Sequence, residues 1–180
     1  MKGKIWKYGD NVNTDVIYAG KYTYQQLKPE EMAAKALEDL DPAFAKGVKP
    51  GDIILAGKNF GCGSSREQAA ACLRAAGVQA VVAKSFARIY FRNAINLGLP
   101  VIQCEEAADA LAAGDEAEID FAGGRILAKG RVFSFPPLPA SVLGILEAGG
   151  LIDPSKATDW LRLLALECPE CGGEIPWSSA

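Results

Sequence analysis

The segment Gly57-Lys58-Asn59-Phe60-Gly61-Cys62-Gly63-Ser64-Ser65-Arg66-Glu67 packs three glycines, two adjacent serines and an arginine into eleven residues. It lies between a short apolar run, Asp52 to Ala56, and an alanine-rich run, Arg66 to Ala76, that reads as a helix ending at Gly77. A glycine-rich loop entering a helix N-terminus presents free N–H groups and the positive end of the helix dipole, and both attract an anion. No lysine follows the last glycine as in a P-loop, and Arg66 stands where a dinucleotide fingerprint needs its third glycine, so the expected anion is not a nucleotide. Ser64 with Glu67, and Ser65 with Gln68, each fit a capping box, so one hydroxyl can cap the helix while the other stays free, and the pattern leaves open which. The helix terminus favours the alkoxide of a free serine by about 0.3 to 1 kcal/mol, up to about 2 when partly buried. Arg66 adds a fixed positive charge. Serine holds its proton far more tightly than that, so a base built here needs further cationic help, such as a metal nearby. A double-serine cap on a tight turn, with no chemistry, is the plain alternative.

Composition narrows the partners. Among 180 residues, 19 Lys and Arg stand against 22 Asp and Glu, a net charge of −3, so neither nucleic acid nor an anionic membrane surface is an expected partner. The start, Met1-Lys2-Gly3-Lys4, leads into Ile5-Trp6-Lys7 without the apolar stretch of a signal peptide, and no run is long enough to span a membrane; the expected location is the cytoplasm. The five cysteines, 62, 72, 104, 168 and 171, are odd in number and scattered, as suits reduced thiols. Histidine is absent. This chain alone therefore holds no Ser-His-Asp or Cys-His mechanism and lacks the commonest metal ligand.

The elements that must position the loop read as α/β. Lys4 to Tyr8 is an opening strand, and Gly9 to Val16 a polar turn rich in Asp and Asn. Pro29 to Leu40 predicts a helix, with Pro29 at its first position and Met32, Ala36, Leu37 and Leu40 as an apolar stripe. Strands at 52–56, 78–83 and 100–104, with helices at 66–76 and 86–97 between them, predict a parallel βαβαβ core with right-handed crossovers. Phe86, Ile89, Tyr90 and Ile95 are spaced as a buried helix face, with Arg88 and Arg92 beside it. Glu105 to Asp120 holds seven acids and no Lys or Arg, read as a solvated helix face running into a strand. Strands ending near Asp120 and starting near Arg125, a further strand at 131–135, and a last helix from Ala140 to Ala148 add antiparallel structure.

Three segments carry a resemblance: Gly9-Asp10-Asn11-Val12-Asn13-Thr14-Asp15-Val16-Ile17, then Asn59 to Ala69, then Lys84-Ser85-Phe86-Ala87-Arg88-Ile89-Tyr90-Phe91-Arg92-Asn93-Ala94-Ile95-Asn96. In order and spacing they resemble the small-subunit family of 3-isopropylmalate dehydratase, the free-standing form of the aconitase swivel domain, over about Lys2 to Leu151. The resemblance implies a swivelling β/β/α domain at 1–151 and a hydro-lyase that moves a hydroxyl between adjacent carbons of a malate-type acid. It also implies a [4Fe-4S] cluster held by a separate large subunit, none being bound by this chain alone, in a heterodimer or heterotetramer acting on a small dicarboxylic or tricarboxylic acid. Carried over by motif position, Ser64 takes the proton α to a carboxylate, Ser65 and Arg66 hold a substrate carboxylate, and Asp15 orients a histidine of the large subunit. The pathway implied is leucine biosynthesis.

Two stretches depart from the family pattern. The substrate-facing loop after the first motif reads Tyr18-Ala19-Gly20-Lys21-Tyr22-Thr23-Tyr24-Gln25-Gln26, longer by about two residues and without the family's Leu-Val or Leu-Arg pair. Lys21, Tyr22, Thr23 and Tyr24 are accordingly its candidate substrate contacts, and a dimethylmalate, citraconate or homoaconitate enzyme is the sibling reading. The extension 152–180 carries Cys168-Pro-Glu-Cys171, half of a zinc knuckle, with a flexible or partner-docking segment as the simpler reading. Two readings of other classes remain: a carboxylate-binding module without catalysis, and an interaction protein acting through that tail.

Overall fold

The computed structural model describes residues 2–151; the extension with Cys168 and Cys171 lies outside the described residues. Seven strands form one sheet in the order β4-β3-β2-β1-β5-β6-β7. They are β1 (Lys2–Lys7), β2 (Ile53–Ala56), β3 (Ala80–Ala83), β4 (Val101–Gln103), β5 (Glu116–Asp120), β6 (Arg125–Ala128) and β7 (Arg131–Ser134). β1 is the seam: it pairs parallel with β2, Ile5 opposite Ile53, and antiparallel with β5, Gly3 opposite Ala117. β2, β3 and β4 continue the parallel half, and β5, β6 and β7 form an antiparallel meander. The expected parallel βαβαβ core with added antiparallel strands is the fold observed.

The helices are α1 (Thr14–Ile17), α2 (Pro29–Ala33), α3 (Phe44–Gly47), α4 (Gln68–Ala75), α5 (Arg88–Asn96), α6 (Glu105–Ala110) and α7 (Ala140–Glu147). None of the described helices is long and apolar enough to cross a membrane. All residues of β2 and β3 are buried, as parallel strands covered on both faces require. Their period-two alternation divides them between two cores. Ile54, Val81 and Ala83 face Leu73, Tyr90 and Phe60, while Ile53, Leu55 and Val82 face α6 and the meander residues Ile119, Ile126 and Phe133.

Two local expectations are corrected. The run from Pro29 to Leu40 is not one helix: α2 stops at Ala33 and turns follow to Leu40. Leu37 is fully buried at φ 56° and donates its N–H to the Ile17 carbonyl at 2.8 Å. Burial and a long-range hydrogen bond outweigh the helical periodicity there. In α5, Tyr90, Ala94 and Ile95 are buried, but Ile89 is 53% exposed. The helix begins at Arg88 and turns about 100° per residue, so driving Tyr90 inward swings Ile89 out.

Candidate functional site

The glycine-rich loop sits at the C-terminal end of β2 and is held by both other motif segments. On one side, Asp10 Oδ1 accepts the Lys58 N–H at 2.7 Å, Asn59 Nδ2 donates to Asn11 Oδ1 at 2.9 Å, and the Gly61 N–H reaches the Val12 carbonyl at 2.8 Å. On the other, Ser85 Oγ accepts the Asn59 N–H at 2.8 Å and the Ala87 N–H donates to the Phe60 carbonyl at 2.9 Å. Phe60 is fully buried, edge-on to Tyr90 at 5.2 Å and to Phe86 at 6.1 Å. The three segments, far apart in the chain, therefore form one structure.

Within it, Thr14 connects the halves. Its N–H donates to the Cys62 carbonyl at 2.8 Å, and its hydroxyl, on a residue only 1% exposed, donates to the Ser64 carbonyl at 2.9 Å. Asn13 caps α1 by accepting the Asp15 N–H at 2.9 Å, which sets the direction of Asp15. The Ser64 backbone is thus pinned by a buried hydroxyl while its side chain remains exposed. Thr14 was not singled out by type or spacing; its only signal was its place between Asn13 and Asp15.

The capping expectation is corrected. The N-cap position of α4 is Glu67, in helical backbone with no side-chain cap bond. Ser64 and Ser65 are both exposed, and among the described residues neither hydroxyl has a hydrogen-bond partner. The first amide after the loop to reach a carbonyl is Ala69, with Arg66 at 3.3 Å. The amides from Ser64 to Gln68 have no acceptor among the described residues, which leaves a run of donors at the dipole's positive end. The serines leave this nest open rather than filling it.

Arg66 lies across the mouth of the loop. Its Nη2 is 2.7 Å from Asp15 Oδ1, its Nη1 donates to the Tyr18 carbonyl at 3.4 Å, and its side chain is 20% exposed. A Cβ on Gly20 would stand 3.2 and 3.3 Å from the two guanidinium nitrogens, so Gly20 is small where the arginine crosses. Asp15 and Arg66, given separate duties by the resemblance, are joined here in one ion pair. The loop after the first motif is a 3-10 turn, Gly20–Tyr22. Its polar groups turn to Glu38: Lys21 Nζ is 2.6 Å from Oε1, and the Tyr22 hydroxyl donates within 3.0 and 3.1 Å of the two oxygens. The ring of Tyr22 lies under Lys21 and Lys35, at 4.9 and 5.1 Å. Tyr24 is 98% exposed, and Thr23 Oγ1 is buried without a partner among the described residues. Glu38 carried no local signal, being 17 residues from Lys21 in a stretch that reads as a helix surface.

The Lys21 hydrogen bond holds the Glu38 carboxyl below its ordinary value of 4.5, and Glu38 raises Lys21 above 10.5. The carboxylate contribution is complete above pH 4.5 and is lost as pH falls through the lowered folded value; the ammonium contribution is complete below pH 10.5 and is lost as pH rises through the raised one. Loop anchoring is therefore flat between these limits. The Tyr22 ring signals, followed by NMR, are expected to stay fixed across that window, to move below it, and to be displaced at every pH in Glu38→Gln.

The described thiols do not form a ligand set. Cys72 is fully buried, its Sγ near the Ala69 and Ile17 carbonyls, and burial pushes its pKa up; burial also raises Cys104, which is buried at the start of α6, away from Cys72. No group of three or more Cys, Asp or Glu residues among the described residues is arranged to hold a metal. The described residues do not fit an iron-sulfur cluster.

The model of the Aconitase C-terminal domain matches residues 3–107, more than half of the chain. Over 155 residues the chain is 53% identical to a 3-isopropylmalate dehydratase small subunit of Caldicellulosiruptor bescii, covering 85% of this chain and 93% of that one. The chain belongs to the 3-isopropylmalate dehydratase small-subunit family. A second member of this aconitase-type hydro-lyase family, the isopropylmalate/citramalate isomerase small subunit of Methanocaldococcus jannaschii, is 50% identical over 154 residues, 84% of this chain and 91% of that one. The crystal structure of a 3-isopropylmalate dehydratase from the same organism superposes with a TM-score of 0.81 at 41% identity, over 90% of this chain and 96% of that chain. The family fold is thus the swivel domain.

Proposed function

We propose that this chain is the proton-handling and carboxylate-binding half of a 3-isopropylmalate dehydratase, acting in leucine biosynthesis in the cytoplasm together with a cluster-bearing large subunit. The observation that carries this reading is the open nest of amides from Ser64 to Gln68, flanked by two serine hydroxyls without a partner among the described residues and by the Asp15–Arg66 pair. A substrate carboxylate fits this donor set: the amides and the Ser65 hydroxyl donate to its oxygens, and the Arg66 guanidinium lies alongside. Ser64 Oγ is then placed to take the proton from the carbon next to that carboxylate. The family's iron-sulfur cluster belongs with the large subunit, and this chain contributes the proton transfer and the carboxylate contacts. A chain without histidine cannot supply an imidazole acid, so that group too comes from the partner.

Asp15 has a second duty in this reading, since the carboxylate that meets the partner also aims Arg66. Asp15→Asn is expected to lower kcat/KM about a hundredfold in the assembled enzyme, with a rise in KM that Asp15→Glu partly restores. Unchanged KM in Asp15→Asn would detach Arg66 from substrate binding.

Reconstitution tests the whole reading. The full chain is mixed under argon with a cluster-loaded large subunit, and hydration is compared with isopropylmaleate, dimethylmaleate and citraconate. Turnover is expected only from the mixture and fastest with isopropylmaleate. Turnover by this chain alone, or none from a stable complex, would overturn the proposal. The smaller acids are a real comparison, because the relative from Methanocaldococcus jannaschii is named for citramalate as well as isopropylmalate.

A further inference from the structure

On the flank of the loop, α5 turns two apolar and two cationic side chains outward. Ile89 is 53% exposed and Phe91 37%, and Arg88 and Arg92, one turn apart, are exposed with no ion pair or hydrogen bond among the described residues. Arg88, Phe91 and Arg92 line a cleft of about 240 Å³ with Phe86 and Gln103. The first turn of α5 has no acidic residue, and Arg88 opens the helix, placing a cation at the positive end of its dipole, where a cation is disfavoured. Exposed aromatic and aliphatic groups beside arginines left without a carboxylate are the composition of an interface centre.

The face is continuous with the serine loop. The loop follows β2, the segment entering α5 follows β3, and Gln103 ends β4, so three parallel neighbours deliver loop and face to the same edge of the sheet. Phe86 joins them, its ring 6.1 Å from that of Phe60 in the loop and 5.9 Å from that of Phe91 on the face. A second chain that completes the chemistry at Ser64 comes to this edge, and the α5 face lies beside its path. A symmetric contact between two copies of this chain centred here would instead set arginines against arginines.

We propose that Arg88, Ile89, Phe91 and Arg92 form a docking face for the cluster-bearing large subunit, which meets it with carboxylates set around an apolar spot. The inference rests on the partner reading given above. The carboxylates follow from the charge the face leaves unneutralised, and the apolar spot from Ile89 and Phe91. Guanidinium forks fix direction as well as charge, so the face sets how the domain is turned over the shared site and does not itself touch substrate.

Calorimetric titration of the full chain with a cluster-loaded large subunit, at low and at high salt, tests this. Arg92→Glu is expected to raise Kd about a hundredfold and to flatten its salt dependence, and Ile89→Ser to raise it about tenfold with the salt dependence kept. Arg88→Glu is expected to act like Arg92→Glu, and because a carboxylate suits the first turn of a helix, its effect cannot come from loss of α5. Arg131→Glu, on β7 at the opposite edge of the sheet, is expected to bind as the wild type does. Wild-type affinity in both α5 arginine variants, or equal weakening by Arg131→Glu, would overturn the docking face while turnover by the wild-type mixture still upholds the subunit reading. A wild-type chain that binds no large subunit overturns both. Unchanged affinity with a raised KM would make the arginines substrate contacts, and a dimer of the free chain that Arg92→Glu abolishes would assign the face to a second copy; either result overturns the proposal.

Discussion

Ser64→Ala is expected to lower turnover of the assembled enzyme by about 10³-fold while its affinity for the large subunit stays as in the wild type. The size follows from what a positioned general base contributes, typically 10² to 10⁴-fold. The lack of an assembly effect follows from geometry, because the element that fixes this position is the Ser64 carbonyl, held by Thr14 Oγ1 at 2.9 Å, and not its hydroxyl. Removing an exposed hydroxyl without a partner among the described residues leaves that frame in place. The helix terminus stabilises an alkoxide by no more than about 2 kcal/mol, too little to ionise serine in the free chain. In the proposed reading the activating charge therefore comes from the partner, and the free chain is expected to show no unusual serine reactivity. Steady-state rates, with affinity measured by calorimetry, check both halves. A Ser64→Ala complex that turns over at a wild-type rate would move the base to another residue, and a parallel Ser65→Ala variant, expected to raise KM more than it lowers kcat, separates the two hydroxyls.

Gly61→Ala is expected to destabilise the protein by roughly 2 to 4 kcal/mol, the sum of a strained backbone and an overpacked contact. Gly61 has φ 77°, where a side chain is disfavoured, and a Cβ there would fall within the ring of Tyr90, against its Cβ, Cγ and Cδ1. Tyr90 cannot yield easily: it is 1% exposed and packed edge-on against Phe60 at 5.2 Å. For a domain of this size the loss amounts to a fall in Tm of roughly 5 to 15 °C. Gly9→Ala is the control, since a Cβ at Gly9 meets nothing within 4 Å. Thermal unfolding of both variants measures the contrast. A Gly61→Ala protein melting within about 2 °C of wild type would mean that the loop does not rest on Tyr90.

Much of the loop's geometry was legible because it is local. The sequence Gly61-x-Gly63-Ser64-Ser65-Arg66 ahead of an alanine-rich helix implies a turn with open amides at a helix start, through backbone permissiveness and dipole direction, both properties of neighbouring residues. The strands at 53–56 and 80–83 were equally legible, since a run buried on both faces must be apolar throughout. The reading failed where distant groups compete with local preference. Leu37 departs from a good helical stripe because the Ile17 carbonyl and a core position offer more than another helical turn does. Ser64 and Ser65 fit a capping box, and neither caps, because Thr14 and the first-motif backbone fix the loop before the helix begins.

By itself the sequence determined the α/β class, the order of elements, the glycine positions that permit the loop, and, through three motifs together, the family. The first three follow from short-range sterics, periodicity and composition, which a chain carries whether or not it is folded, and the family from the resemblance of the motifs. Only the tertiary structure decided that Asp15 holds Arg66, that Glu38 takes both Lys21 and Tyr22, that Tyr90 lies under Gly61, and that both serines face outward. Each of these joins residues 16 to 51 positions apart, or sets a side chain's direction by which neighbour reaches it first. Such choices depend on which surfaces the folded sheet brings within hydrogen-bond distance, and no local pattern encodes that.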